Sequence, residues 1–184
     1  MNTEEILRKR FPNAKYISEW HDPVRGIDFG VGVGSRQYNI HVEKGEPGIS
    51  KLWHPTNQKD SDGNILSEPE LVLEVWEDHD SREKGWVFNE KKEIDYVLFV
   101  FDPSDTPNAY VVPYIDIRET FKKHFNEWTA EFGLNEKVVD GRTVKTCSVP
   151  VGILYNAIIA LEGENAEAAK RQELYGEIVR GGNK

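Results

Sequence analysis

A handful of side chains in this sequence could do acid–base or metal chemistry, and strand patterning decides which of them can meet. In GIDFGVGVGSRQYNIHVEKG (residues 26–45), Phe29, Val31 and Val33 alternate with Asp28, Gly30 and Gly32. That is the period of two expected of a β-strand. Gly34-Ser35 suits a tight turn. The next strand then puts Tyr38, Ile40 and Val42 on one face, and Asn39, His41 and Glu43 on the other. Paired as a hairpin, these strands bring His41 and Glu43 toward Asp28, a set of ligands that suits Mg²⁺ or Mn²⁺. Gly30 and Gly32 beside Asp28 would leave room for a substrate backbone. The plain alternative is that Asp28, His41 and Glu43 simply face water on an edge hairpin, as most lone charged residues do. Glu74 is harder to dismiss, because it interrupts the apolar run LVLEVW. An unpaired buried carboxylate is expensive, so Glu74 must be paired, hold a metal, or lie at the open end of a sheet.

Other candidates are weaker. His21-Asp22, His54 and the run Glu77-Asp78-His79-Asp80 match no zinc spacing. The segment GVGVG lacks the following helix and lysine of a phosphate-binding loop. Cys147 has no indicated base and reads as a small buried apolar residue. No G-x-S-x-G nucleophile elbow is present.

Positioning these groups requires a sheet flanked by helices. Asn2 and Glu5 form a capping-box pattern that opens a helix over residues 3–10. Residues 15–19 read as a brief strand. Residues 45–70 are polar, without periodicity, and long for a loop inside a compact domain. ELVLEVWE (70–77) reads as a strand buried on both faces, and IDYVLFVF (94–101) as a central strand. AYVVPYI (109–115) follows a turn spanning residues 102–108 and should pair with that central strand. Asp116 with Glu119 is a second capping-box pattern. Ile117, Phe121, His124, Phe125, Trp128 and Phe132 then follow helical spacing, and Gly133 is the stop. A polar loop precedes TCSVP, and Pro150 stands near the start of a further apolar helix. The expected organisation is one domain over residues 1–184, with its core in 1–132 and a C-terminal helical part in 149–180. The expected fold is α/β (α+β), a central mixed β-sheet flanked by helices.

Hydrophobic residues make up 38% and charged residues 30% of the 184 positions, with eight Phe, seven Tyr and five Trp. That balance supports a packed core rather than disorder. One cysteine excludes an intramolecular disulfide and a cysteine-based zinc cluster. The N-terminal residues lack the apolar run of a secretory signal, and no stretch has the length of a membrane helix. A cytoplasmic protein with no membrane partner is therefore expected. The net charge of −9 argues against non-specific coating of DNA.

Residues 24–115 resemble the PD-(D/E)XK nuclease superfamily, the restriction-endonuclease-like proteins, and in particular its small phage-type members. Asp28 in RGIDFGV falls at the family's aspartate, and YNIHVEK falls at its (E/Q)-x-K strand. Glu74, Gly85-Trp86 and Asp95-Tyr96 follow the layout of a later glutamate strand, a Gly-Trp, and an Asp-Tyr opening a very apolar strand. The resemblance implies a hydrolase that cleaves nucleic acid, DNA in preference to RNA, with Mg²⁺ or Mn²⁺ as cofactor. It implies Asp28, His41, Glu43, Lys44 and Glu74 as catalytic residues, with Asp28, Glu43 and Glu74 holding metal and His41 serving as ligand or proton acceptor. Arg25, Arg36, Lys44 and Lys51 are the local cations for backbone phosphates. The oligomeric state stays open: many nucleases that cut both strands dimerise, and residues 164–180 are the place to look for a homodimer contact.

One departure matters. The sequence reads His41-Val42-Glu43-Lys44, so the lysine stands one position late. Alternation puts Lys44 on the opposite face unless a bulge corrects the register. A bulge, a lysine from elsewhere (Lys51 or Lys84), or a fold that kept binding and lost catalysis would each account for this. The last corresponds to an acidic interaction protein, or one that imitates nucleic acid.

Overall fold

A computed structural model describes residues 3–44, 70–101 and 108–181. The chain opens with helix α1 (Thr3–Arg10), then strands β1 (Ala14–Asp22), β2 (Ile27–Val33) and β3 (Arg36–Lys44). Strands β4 (Glu70–Asp78), β5 (Glu83–Lys84), β6 (Tyr96–Phe101) and β7 (Asn108–Pro113) follow. Helix α2 (Tyr114–Phe132), hairpin β8 (Asn135–Val139) and β9 (Arg142–Pro150), and helix α3 (Val151–Gly181) complete it. The fold is mixed α+β, as expected, but its strands divide between two sheets rather than forming one. The first sheet runs β1-β2-β3-β6-β7 and the second β5-β4-β9-β8.

The expected hairpin is present, with Phe29 paired to Ile40 and Val33 to Arg36. Gly34 takes φ +64° at its turn, which a side chain would resist. Strand β6 then adds parallel to β3, with Ile40 opposite Tyr96 and Lys44 opposite Val100. A parallel pair cannot be joined by a tight turn; here the connection carries β4 and β5, which build the other sheet.

The apolar run at β6 is buried on both faces because the first sheet separates two cores. Leu98 packs with Ile6 and Leu7 of α1 and with Val31 and Ile40. Val97 and Phe99 face the larger core, with Tyr114, Ile117 and Phe121 of α2 and with Leu71, Leu73 and Val75 of β4. On that larger-core side, the β2–β3 part of the same sheet carries Asp28, His41 and Glu43, His41 being opposite Val97 in the register. The candidate groups therefore lie where the larger core runs out.

Several local expectations need correction. Strand β4 is buried on one face only: Leu71, Leu73 and Val75 point inward, while Val72 is 37% exposed. Its other face, with Val72 and Glu74, lines an open cleft, so alternation decides burial although the run is almost wholly apolar. Strand β1 is nine residues rather than a brief segment. Residues 135–150, read partly as loop, form the β8–β9 hairpin, whose first strand is wholly exposed and so carries no periodic signal. The Asp116/Glu119 box does not cap α2; Pro113 is its N-cap, without a side-chain bond, and Gly133 (φ +78°) ends it as read. The C-terminal helical part expected over 149–180 is one continuous 31-residue helix. The Asn2 cap, the loop from residue 45 to 69 with Lys51 and His54, and the turn at 102–107 lie outside the described residues.

Candidate active site

Asp28 sits at the end of β2, where the ladder to β3 gives out after Phe29. Its Oδ2 accepts the Val42 backbone N–H at 2.8 Å, so the side chain prolongs the sheet pairing by one bond. The second oxygen lies 3.3 Å from His21 Nδ1. His41, on the next strand, lies between two carboxylates. Its Nε2 is 3.0 Å from Glu43 Oε1, and its Nδ1 is 3.0 Å from Asp28 Oδ2, the latter off the straight line of a hydrogen bond.

Glu74 reaches the same region from β4 and accepts the Trp86 backbone N–H at 3.3 Å. Two features hold it there. Gly85 donates its N–H to Val75 O, and it passes so close to β4 that a Cβ would stand 2.2 Å from Glu74 O. Trp86 then packs its ring 5.3 Å from the His41 ring and 6.3 Å from Tyr114, whose hydroxyl donates to Trp86 O at 2.8 Å. Trp86 thus closes the larger core against the polar cluster. These groups open on a cleft of about 730 Å³ between the two sheets.

The cluster sorts its protons by environment. Burial favours the neutral acid at Asp28, but His41, the Val42 N–H and His21 outweigh it and hold the carboxyl below the usual range. Burial would likewise lower His41, yet Asp28 and Glu43 push the imidazolium up to about 9. His41 is therefore a cation at neutral pH, a proton donor rather than the neutral acceptor expected from its ordinary value. Glu74 is raised too, in contrast to Asp28: burial raises it, and Glu43 and Glu77 add to that against the pull of the Trp86 N–H and His41.

The sequence-selected residues divide accordingly. Asp28, His41, Glu43 and Glu74 are brought to one cleft. Arg36 is not, being exposed at the far end of β3 from Glu43. Arg25 is paired with Glu93 and lies over the Trp20 ring at 5.0 Å. The β3–β6 ladder shows no shift from Ile40 to Lys44, so the pairing contains no bulge there; the Lys44 side chain lies outside the described residues. Lys84 is exposed on β5. The described lysines that line the cleft are instead Lys137 of β8 and Lys92, the latter donating to Pro23 O at 2.8 Å and standing 3.8 Å from Glu77. Arg142 meets the same Glu77 at 3.1 Å from the β8–β9 hairpin. None of these cations was legible, since each reaches the cleft from a segment without strand or helix periodicity at that point.

The donor types at Asp28, Glu43 and Glu74 suit a hard divalent ion, and a cation already stands between two of them in the form of the His41 imidazolium. Among the described residues, however, no three Asp, Glu, His or Cys side chains are grouped as a complete metal-ligand set. No protein-family model, curated protein or solved structure matches the chain. Among the described residues, no helix is long and apolar enough to cross a membrane.

Proposed function

We propose that this chain is a divalent-metal-dependent nuclease of restriction-endonuclease-like fold, hydrolysing phosphodiester bonds in nucleic acid, with DNA preferred to RNA. The observation that carries it is the order of the first sheet. An antiparallel β1-β2-β3 meander receives β6 parallel to β3, and the aspartate of β2 and the acidic strand β3 open on one cleft. Asp28 and Glu43, with Glu74 from the second sheet, would hold the ion. Once bound, Mg²⁺ or Mn²⁺ supplies a water of lowered pKa and neutralises charge developing on the phosphate. The chain's own residues divide the work. His41, raised by Asp28 and Glu43, holds a proton near neutral pH and is the group suited to donate one, while the carboxylates would hold the ion. Trp86 and the core behind it exclude water from that side of the cluster.

The same chain as a catalytically silent, acidic interaction protein is favoured by one specific observation. His41 already stands between Asp28 and Glu43, and among the described residues no lysine is paired with either of them. The net charge of −9 is in keeping with that role.

Labelled single- and double-stranded DNA and RNA, incubated with Mg²⁺, Mn²⁺ or EDTA, separate the two. Cleavage that needs metal and disappears in folded Asp28→Ala and Glu74→Ala variants is the expected result. Intact substrates under every condition would leave the silent role standing.

A further inference from the structure

The carboxylates that line the cleft, Asp28, Glu43, Glu70, Glu74 and Glu77, all belong to β2, β3 and β4. A further wall is the β8–β9 hairpin, and its register fixes which side chains it presents. Asn135 pairs with Thr146, Lys137 with Val144 and Val139 with Arg142, and all of these line the cleft together with Ser148. None of them is acidic. Alternation sends the acid of β8, Glu136, to the opposite face, where it meets Lys145 at 3.3 Å. In a chain of net charge −9, one face of this hairpin is thus cleared of carboxylates and keeps Lys137 and Arg142.

That face is open and chemically mixed. Strand β8 is exposed along its whole length, and Val139 is 37% exposed. Cations and hydroxyl or amide donors suit phosphate oxygens, and valines suit the sugars between them. Such a surface fits a phosphodiester backbone rather than base edges. The ion pairs at its end do not cancel its charge. Arg142 meets Glu77 at 3.1 Å, and Lys92 stands 3.8 Å from the same carboxylate, so two cations share one anion. A guanidinium has more N–H groups than that one bond uses, and the Arg142 side chain is 47% exposed, so a phosphate can join it without displacing Glu77. The wall also runs to the cluster directly, because Thr146 stands opposite Glu74 in the β4–β9 register.

We propose that the cleft face of the β8–β9 hairpin is an arm that holds the phosphodiester backbone of the substrate, Lys137 and Arg142 taking its phosphates while the other walls present Asp28, His41, Glu43 and Glu74. It rests on the nucleic-acid reading of that cluster, and adds where the strand lies and which cations carry it. The contacts are to backbone alone, so the arm grips without regard to base sequence.

Fluorescence anisotropy of a labelled DNA duplex and of labelled oligothymidylate with the full chain in EDTA, repeated over a range of salt concentrations, reads the arm without cleavage. Lys137→Gln and Arg142→Gln are each expected to weaken binding and to reduce the slope of log K against log salt by about one, the share of one phosphate contact. Lys145→Gln removes the same charge from the same hairpin on the face turned away from the cleft, and should keep the wild-type slope. Thermal melts establish that all variants fold. Binding of neither DNA, wild-type slopes throughout, or an equal loss of slope in Lys145→Gln would overturn the arm. Adding Mg²⁺ then reads the nuclease on its own. Metal-dependent cleavage with unchanged KM in Lys137→Gln and Arg142→Gln removes the arm and leaves the nuclease. Slope changes confined to those two variants, with no cleavage by wild type, keep the arm and remove the nuclease.

Discussion

Replacing His41 with Ala should destabilise the protein by about 2–4 kcal/mol at pH 7, because the change leaves Asp28 and Glu43 without the cation between them. Both oxygens it serves are partly buried, and His41 itself is only 17% exposed, so water replaces the lost partner incompletely. The pH dependence identifies the cause. The folded value of about 9 lies above the ordinary 6.5, so protonation stabilises the folded state. That contribution is complete below about 6.5 and is lost as the pH rises through about 9. At the acid end, Asp28 lies below its ordinary 3.8, so its share persists above that value and disappears on further acidification. Urea melts of wild type and His41→Ala at pH 5.5, 7.5 and 9.5 should therefore show their widest separation at pH 5.5 and their narrowest at 9.5. An undiminished separation at pH 9.5 would mean that packing on Trp86, and not the imidazolium charge, is what His41 contributes.

Gly85→Ala should cost about 2–3 kcal/mol, in the upper part of the range for overpacking a close contact. The obstruction is backbone: the added carbon would meet Glu74 O at 2.2 Å and Glu74 C at 2.5 Å, and neither can rotate away. The short strand β5 must then move off β4, weakening both Gly85 N–H to Val75 O and Trp86 N–H to Glu74. Trp86 and Val87, 3% and 0% exposed, would move with it. Near-UV circular dichroism should report the displaced indole, and denaturant melts the lost stability. A variant within about 0.5 kcal/mol of wild type would show that β5 yields without resistance, and that Glu74 is not positioned by this contact. The two substitutions act on different carboxylates, so their separate effects show whether His41 or the Gly85-Trp86 corner holds the cluster together.

Pattern in the sequence reached some features because their cause is local. Alternation at 29–33 and 38–42, with a glycine turn between, determined the β2–β3 hairpin and put Asp28, His41 and Glu43 on one face. Helical spacing from Ile117 to Phe132 with Gly133 after it determined α2, and the apolar run at 96–101 determined a strand buried on both sides. Those signals lie within a few residues of each other, where period and turn chemistry act. The separation of the strands into two sheets, the one-sided burial of β4, and the partner of Glu74 depend on contacts between distant segments: β4 with β9, β3 with β6, Trp86 with His41. No local period encodes such pairings. The same holds for the charge on His41. Glu43 lies two residues away on the same strand, and the hairpin's closure adds Asp28; together the two carboxylates, held against the buried ring, make His41 a cation. The tertiary structure also filled the space above Gly32 with the Tyr16 ring, which pairs across from it and would stand 2.1 Å from an added Cβ.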